Sequence, residues 1–357
     1  MEKFWQGKRV FITGHTGFKG GWLSLWLQSL GAEVIGYSLK PPSFPALFDV
    51  AHIANGMISI EGDISDFAKL QYSLQEHKPE IIFHMAAQSL VRCSYQFPLE
   101  TLATNIMGTA NILEAARHAD SVRVIVNITS DKCYENREWV WGYRENDAMG
   151  GHDPYSCSKG CAELVTASYR RSYFSLENTA NIASARAGNA IGGGDWAADR
   201  LVPDGVRAIV NGEPILIRNP RAIRPWQHVL EPLSGYLLLA HRLWDDDQNY
   251  EQGWNFGPDE QHAWTVEQLT DMFCRLWGDE AKWFVKANDH LHEAHYLKLD
   301  SSKAMRCLGW RPVLDMKETL AMTVEWYKRF YDGEDPRELT LAQIAKYQTL
   351  GKENRDV

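Results

Sequence analysis

The segment Arg9–Thr13 (RVFIT) runs without a break into Gly14-His15-Thr16-Gly17-Phe18-Lys19-Gly20, and then into a helical pattern through Leu23, Leu27 and Leu30. A strand, a glycine-rich turn and a helix in immediate succession make a phosphate cradle. The glycines permit a tight turn, close backbone approach to a pyrophosphate and close helix–strand packing, while the helix N-terminus offers N–H donors and positive dipole. The spacing is GxxGxxG, one residue wider at its start than the usual dinucleotide fingerprint, and a plain turn is the alternative. Position between the first strand and the first helix favours the cradle. Residues 14–20 are therefore expected to hold a dinucleotide.

Gly31 stops the first helix, and short Val- and Ile-rich runs follow at Glu33–Tyr37, Met57–Glu61, Glu80–Met85 and Val122–Thr129. Helical patterns near 66–77 and 98–118 separate them. This alternation predicts βαβ units and a doubly wound parallel sheet of the Rossmann type, an α/β fold. After Ala187 the rhythm changes to a glycine loop and scattered prolines, with helices expected near 230–244, 265–277 and 315–331. We expect residues 1–187 to form a dinucleotide-binding domain that also receives segments from about 225–258. Residues 188–357 are expected to be mainly a smaller, mixed α/β substrate domain, with the last seven residues frayed.

Composition removes several function classes. The chain has 37 Lys+Arg against 46 Asp+Glu, a formal charge of −9, which argues against nucleic acid as a partner. No signal-peptide pattern precedes Arg9, and the longest apolar stretch, Leu233–Trp244, is broken by His241 and Arg242, so no membrane partner is expected. The six cysteines contain no CxxC pair, and His290, His292 and His295 have no zinc-motif companions. No metal is expected, and the thiols suit a reducing compartment.

The second strand ends Tyr37-Ser38-Leu39-Lys40, with no carboxylate for the ribose of NAD. Ser38 suits a hydroxyl and Lys40 tolerates a 2′-phosphate, so NAD leads while NADP stays open. Asp63, followed by Ile64 after the third strand, is placed to meet an adenine or else to cap the next helix. Tyr155 has Lys159 four residues on, which on a helix puts both on one face. The ammonium is expected to lower the phenol pKa so that it serves as a base. Ser130, at the end of the fifth strand in Thr129-Ser130-Asp131-Lys132-Cys133-Tyr134, is placed to polarise a substrate oxygen.

Residues 14–20, Asn105…Gly108-Thr109…Asn111, Ser130 and Tyr155–Lys159 resemble the extended short-chain dehydrogenase/reductase superfamily over nearly the whole chain. Within it, the Thr129–Tyr134, Arg186–Trp196 and Arg224–Val229 segments resemble nucleotide-sugar 4,6-dehydratases that act on CDP-glucose. The resemblance implies a lyase that uses NAD without net redox change. Tyr155 would take the 4-hydroxyl proton, Lys159 would bind the nicotinamide ribose, and Asp131 would protonate the departing 6-hydroxyl. It further implies that Ala86, Ala87, Gln88 and Asn105 line the cofactor cleft, and that Asn189, Arg200 and Arg224 meet the sugar nucleotide. A homodimer or homotetramer in the bacterial cytoplasm, feeding deoxysugar synthesis for surface polysaccharide, is the implied setting.

One departure stands out. Related dTDP-glucose and GDP-mannose dehydratases carry a glutamate where this chain has Lys132. Lys132 is expected to be the C5 base, with Glu135 as the rival. A dehydratase for GDP-mannose or dTDP-glucose, a nucleotide-sugar 4-epimerase and a non-catalytic dinucleotide sensor are the alternative readings.

Overall fold

The computed structural model describes residues 2–175, 179–245, 250–259, 264–278, 281–285 and 296–353. Its central sheet has seven strands: β1 (Arg9–Thr13), β2 (Glu33–Ser38), β3 (Ile58–Glu61), β4 (Ile81–His84), β5 (Val124–Ile128), β6 (Asn181–Ala187) and β7 (Gly253–Phe256). All pair in parallel, in the order β7-β6-β5-β4-β1-β2-β3. The doubly wound α/β expectation therefore holds, with the ends of β1 to β5 within two residues of their predicted positions.

Side chains alternate across the sheet with period two. Val10, Ile12, Phe83, Val124 and Val126 face one hydrophobic cluster, while Phe11, Ile82 and Ile125 face the other. On the second face pack α2 (Phe67–His77), α3 (Gly108–Arg117) and α4 (Pro154–Tyr173). On the first lie α1 (Phe18–Ser29) and α6 (Leu230–Trp244), the latter buried along most of its length.

Two later helices start as their sequences dictate. The helices α7 (Val266–Trp277) and α8 (Met316–Tyr331) each open on a capping box, Thr265 with Gln268 and Asp315 with Glu318. Two of the longer helices escaped the sequence reading. One is α5 (Leu201–Val210), whose Pro203 and Gly205 read as loop although proline suits a first turn. The other is α9 (Pro336–Glu353), which replaces the fraying expected from residue 351 through its last described turn. It docks on α1, where Arg337 donates to Gln28 Oε1 at 3.0 Å and Tyr347 packs edge-on to Trp26. The predicted helix over 98–118 is also interrupted. It widens into a π turn at Ala103–Met107 just before α3.

Candidate active site

Strand order reverses between β1 and β4, and at their carboxyl ends a cleft of about 1180 Å³ opens. This is where an open parallel sheet offers a ligand site. Gly14 sits at φ +77°, and a Cβ there would lie 2.8 Å from the Ala86 backbone nitrogen. Only glycine lets the turn after β1 press against the chain leaving β4. Thr13 seals that seam: its Oγ1 accepts from the N–H groups of Met85 and Ala86 at 3.0 and 3.1 Å. The Thr16 hydroxyl donates to the Leu39 carbonyl and lies 2.9 Å from Ser38 Oγ, tying the loop to the end of β2.

Of the residues expected to hold a dinucleotide, Gly14, Thr16, Gly17, Phe18, Lys19, Gly20, Ser38, Asp63, Ile64, Ala86, Ala87 and Gln88 line this cleft. His15 and Asn105 do not. The His15 ring turns inward, 1% exposed, with Nε2 2.8 Å from Ser59 Oγ and its edge against Phe48. It occupies the space above Gly36, where a Cβ would come within 2.3 Å of the ring. Burial lowers its pKa to about 4, so it is a neutral brace beneath the loop. Asn105 is carried by the π turn to Gln88. Its Oδ1 accepts from the Gln88 N–H at 2.9 Å, and its Nδ2 donates to the Gln88 carbonyl and to Ser158 Oγ. It shapes the cleft through Gln88. Asp63 does not cap α2; its carboxylate accepts from the Ser65 N–H, and Asp66 is the cap.

The five residues expected to carry chemistry meet on one wall. β5 delivers Thr129 and Ser130, a short 3₁₀ turn follows at Asp131–Cys133, and α4 starts beside it, capped by Asp153. Ser130, Asp131, Lys132, Tyr155 and Lys159 all line the cleft, and Ser130 Oγ donates to Asp131 Oδ1 at 2.8 Å. Burial pushes the Asp131 carboxyl above its usual range, while Lys132, the Ser130 hydroxyl, Arg224 and Lys19 pull it back.

Burial acts on Tyr155 in the direction opposite to the shift expected from its spacing to Lys159. Burial pushes the phenol up to about 12, against the opposing pull of Ser130 and Arg200. Burial, reinforced by Lys19, lowers Lys159 to about 8. Spacing alone predicts the attraction, but desolvation of both groups outweighs it and favours both neutral forms. Below pH 8 the pair rests as phenol and ammonium. Glu135, the rival base, points away from the cleft and pairs with Arg137 at 2.9 Å on an exposed edge.

Sequence reasoning missed the polar floor beneath this wall. Glu163 continues the Tyr155–Lys159 stripe by one more turn. Its Oε1 accepts from Thr129 Oγ1 at 2.5 Å, and its Oε2 accepts from Ser184 Oγ at 2.6 Å and Arg186 Nη2 at 2.8 Å. Arg186 Nη1 donates to Tyr134 Oη, which donates to Asn255 Oδ1, both at 2.7 Å. Burial would raise the Glu163 carboxyl, but Arg186 and the two hydroxyls hold it below its usual range. The network grips both ends of the 130–133 turn and fixes it against α4. The 155–159–163 stripe was the available signal.

On the opposite wall stand Asn189, Arg200 and Arg224. Arg200 is held at 2.9 Å by Asp195 and donates to Ser89 Oγ at 3.0 Å. Arg224 is 8% exposed and donates to the Ile223 carbonyl. Trp196 packs on Trp326, Tyr327 and Phe330, a core role. The histidines at 290, 292 and 295 lie outside the described residues.

A parallel seven-stranded sheet with a glycine cradle and a Ser–Tyr–Lys wall defines a dinucleotide-dependent short-chain dehydrogenase/reductase. More closely, residues 11–323 match the GDP-mannose 4,6 dehydratase family, and the chain belongs to that family. It is 55% identical over 352 residues to the CDP-glucose 4,6-dehydratase of Salmonella typhimurium, covering 98% of both chains. Its fold is similar to that of the dTDP-glucose 4,6-dehydratase of Streptomyces venezuelae, solved with NAD bound (TM-score 0.75, 24% identity, 92% and 99% covered). An epimerase from Methanothermobacter thermautotrophicus shares the fold equally (TM-score 0.81, 22% identity, 93% and 95% covered).

Proposed function

We propose that this chain converts CDP-glucose to CDP-4-keto-6-deoxyglucose by loss of water, with NAD as a cofactor regenerated in every turnover. The observation that carries the reading is the 55% identity over 98% of both chains to the Salmonella enzyme. The glycine turn at residues 14–20, where a Cβ on Gly14 would strike the Ala86 backbone, fits a pyrophosphate held by backbone N–H groups. Thr16, Ser38, Asp63, Ala86 and Gln88 would line the rest of the dinucleotide. The chemistry NAD supplies is reversible hydride acceptance, which lets the sugar be oxidised at C4 and reduced at C6.

Tyr155 takes the proton from the 4-hydroxyl, Ser130 hydrogen-bonds the same oxygen, and the Lys159 ammonium favours the phenolate that Tyr155 passes through. The 4-ketone acidifies C5–H. Lys132 removes that proton, and the Asp131 carboxyl protonates the departing 6-hydroxyl. The outward pairing of Glu135 supports Lys132 as the base. Asn189, Arg200 and Arg224 meet the diphosphate by charge-assisted hydrogen bonds. In this reading residues 1–187, completed by β7, serve the cofactor, and residues 188–357 serve mainly the sugar nucleotide.

Incubation with CDP-glucose and NAD, followed by mass analysis, tests the reading: the product is lighter by one water. With deuterium at C4 the label moves to C6; label retained at C4 would mean an epimerase. Turnover of GDP-mannose or dTDP-glucose in place of CDP-glucose would move the substrate assignment. Lys132→Met should slow exchange of the C5 proton with solvent by about 10²-fold or more, whereas Glu135→Gln leaves it unchanged; the reverse result reassigns the base.

Leu99, Met107, Leu164 and Tyr173 are exposed on the 98–117 helical segment and α4, which supports pairing of two copies there, as a homodimer or half of a homotetramer. Among the described residues no helix is long and apolar enough to cross a membrane. This fits a cytoplasmic enzyme that supplies deoxysugars for the O-antigen of lipopolysaccharide.

A further inference from the structure

Lys19 is the second residue of α1, a helix with no acidic residue in its first turn and no side-chain cap at Gly17. A cation at that end opposes the helix dipole. It also shares the cleft with Lys132, Lys159, Arg200 and Arg224, and it repels Lys159 and Arg200. Among the described residues its ammonium makes no hydrogen bond or ion pair. Such a residue breaks the local electrostatic rules, as residues at functional sites do.

The carboxyl group within its electrostatic reach is Asp131. That side chain is 2% exposed; Oδ1 is engaged by Ser130, whereas Oδ2 is buried on the cleft wall without a hydrogen-bond partner. The cradle explains the glycines around Lys19 but not the lysine, since a pyrophosphate there would be held by backbone N–H groups. We propose that Lys19 is a positioning residue of the water-elimination step and acts through Asp131 Oδ2, not through the cofactor's pyrophosphate.

The inference rests on the dehydration reading above. In that step the C5–H proton passes to Lys132 and its electron pair is held in the enolate of the 4-ketone; that pair then forms the C5–C6 double bond as the C6–O bond breaks, and Asp131 gives its proton to the departing oxygen to release water. Asp131 is left as a carboxylate in a site where burial disfavours that form. The Lys19 ammonium compensates the new charge and keeps the buried carboxyl acidic enough to transfer its proton. Lys132 and Arg224 share the task, so removing Lys19 weakens the step without abolishing it.

The test compares the full-length wild type, Lys19→Met and Lys19→Arg, with CDP-glucose and NAD in D₂O. For Lys19→Met, kcat at saturating NAD should fall about 10- to 100-fold, with the KM for CDP-glucose nearly unchanged and Lys19→Arg largely restored. Deuterium at C5 of recovered CDP-glucose should rise relative to product, because C5 exchange continues while elimination stalls. In an Asp131→Asn background, Lys19→Met should change kcat by less than about twofold. The proposal is overturned if kcat recovers once NAD saturates and only the NAD Kd, measured by equilibrium dialysis, has weakened. It is overturned equally if all rates drop together with the exchange-to-product ratio unchanged. A wild type that turns over CDP-glucose in the same assay separates these failures from failure of the dehydration reading.

Discussion

The two walls of the cleft are built by opposite means. The wall at residues 14–20 and 85–88 is mostly backbone: glycine in the left-handed region, a threonine that bonds main-chain N–H groups, and an asparagine occupied with Gln88. The wall at residues 189–224 is side chains, with a guanidinium clamped between Asp195 and Ser89. A backbone site depends on where side chains are absent and is therefore rigid and intolerant of substitution. A side-chain site depends on which groups are present and how they are oriented, so single changes there are graded. The 130–133 turn and α4 lie between them, held by the Glu163–Arg186 floor.

The harshest way to break this arrangement is through that floor. Arg186→Met leaves Glu163 as an uncompensated buried charge, and we expect a loss of about 3–5 kcal/mol of stability in denaturant melts. Gly14→Val attacks the backbone wall alone. With φ at +77° and the Cβ pressed on Ala86, NAD affinity should fall about 100-fold, read by dialysis, while CDP-glucose binding is spared.

Beneath both walls Glu231 gives a pH signature. It accepts from the N–H groups of Val313 and Leu314 and from Tyr347, and burial raises it from 4.5 to about 7. The folded chain thus keeps a proton that the unfolded chain releases. Its contribution is complete below pH about 4.5 and is lost as pH rises through 7, a swing of about 3 kcal/mol. Urea melts at pH 5 and 8 should show this decline, and Glu231→Gln should remove it. Smallest is Arg200→Met on the side-chain wall: the KM for CDP-glucose should rise about tenfold with NAD affinity unchanged. Equal effects on both ligands would erase the distinction between the walls.

The same distinction explains what the sequence made legible. Strand β1, its glycines and the 155–159 spacing are local patterns, and local patterns survive in a one-dimensional string. The inward turn of His15 depends on Gly36, twenty-one positions away. The role of Asn105 depends on a π turn that helical periodicity does not announce. Glu163 and Arg186 meet across α4 and β6, and neither shows its partner in the sequence. For Tyr155 the attraction of Lys159 is written in the spacing, whereas the depth of burial that opposes it is set by the whole fold.

The docking of α9 has a consequence for synthesis. Trp26 of α1 rests against Tyr347, Trp22 donates to the Gly193 carbonyl at 2.9 Å, and Arg337 reaches back to Gln28. The support under the phosphate turn is therefore supplied by a helix translated long after the turn itself. A nascent chain that has emerged only through β6 would expose indole rings and lack β7, so it is a client for chaperones rather than a cofactor-binding unit. Assembly of the glycine turn waits on a helix made long after it.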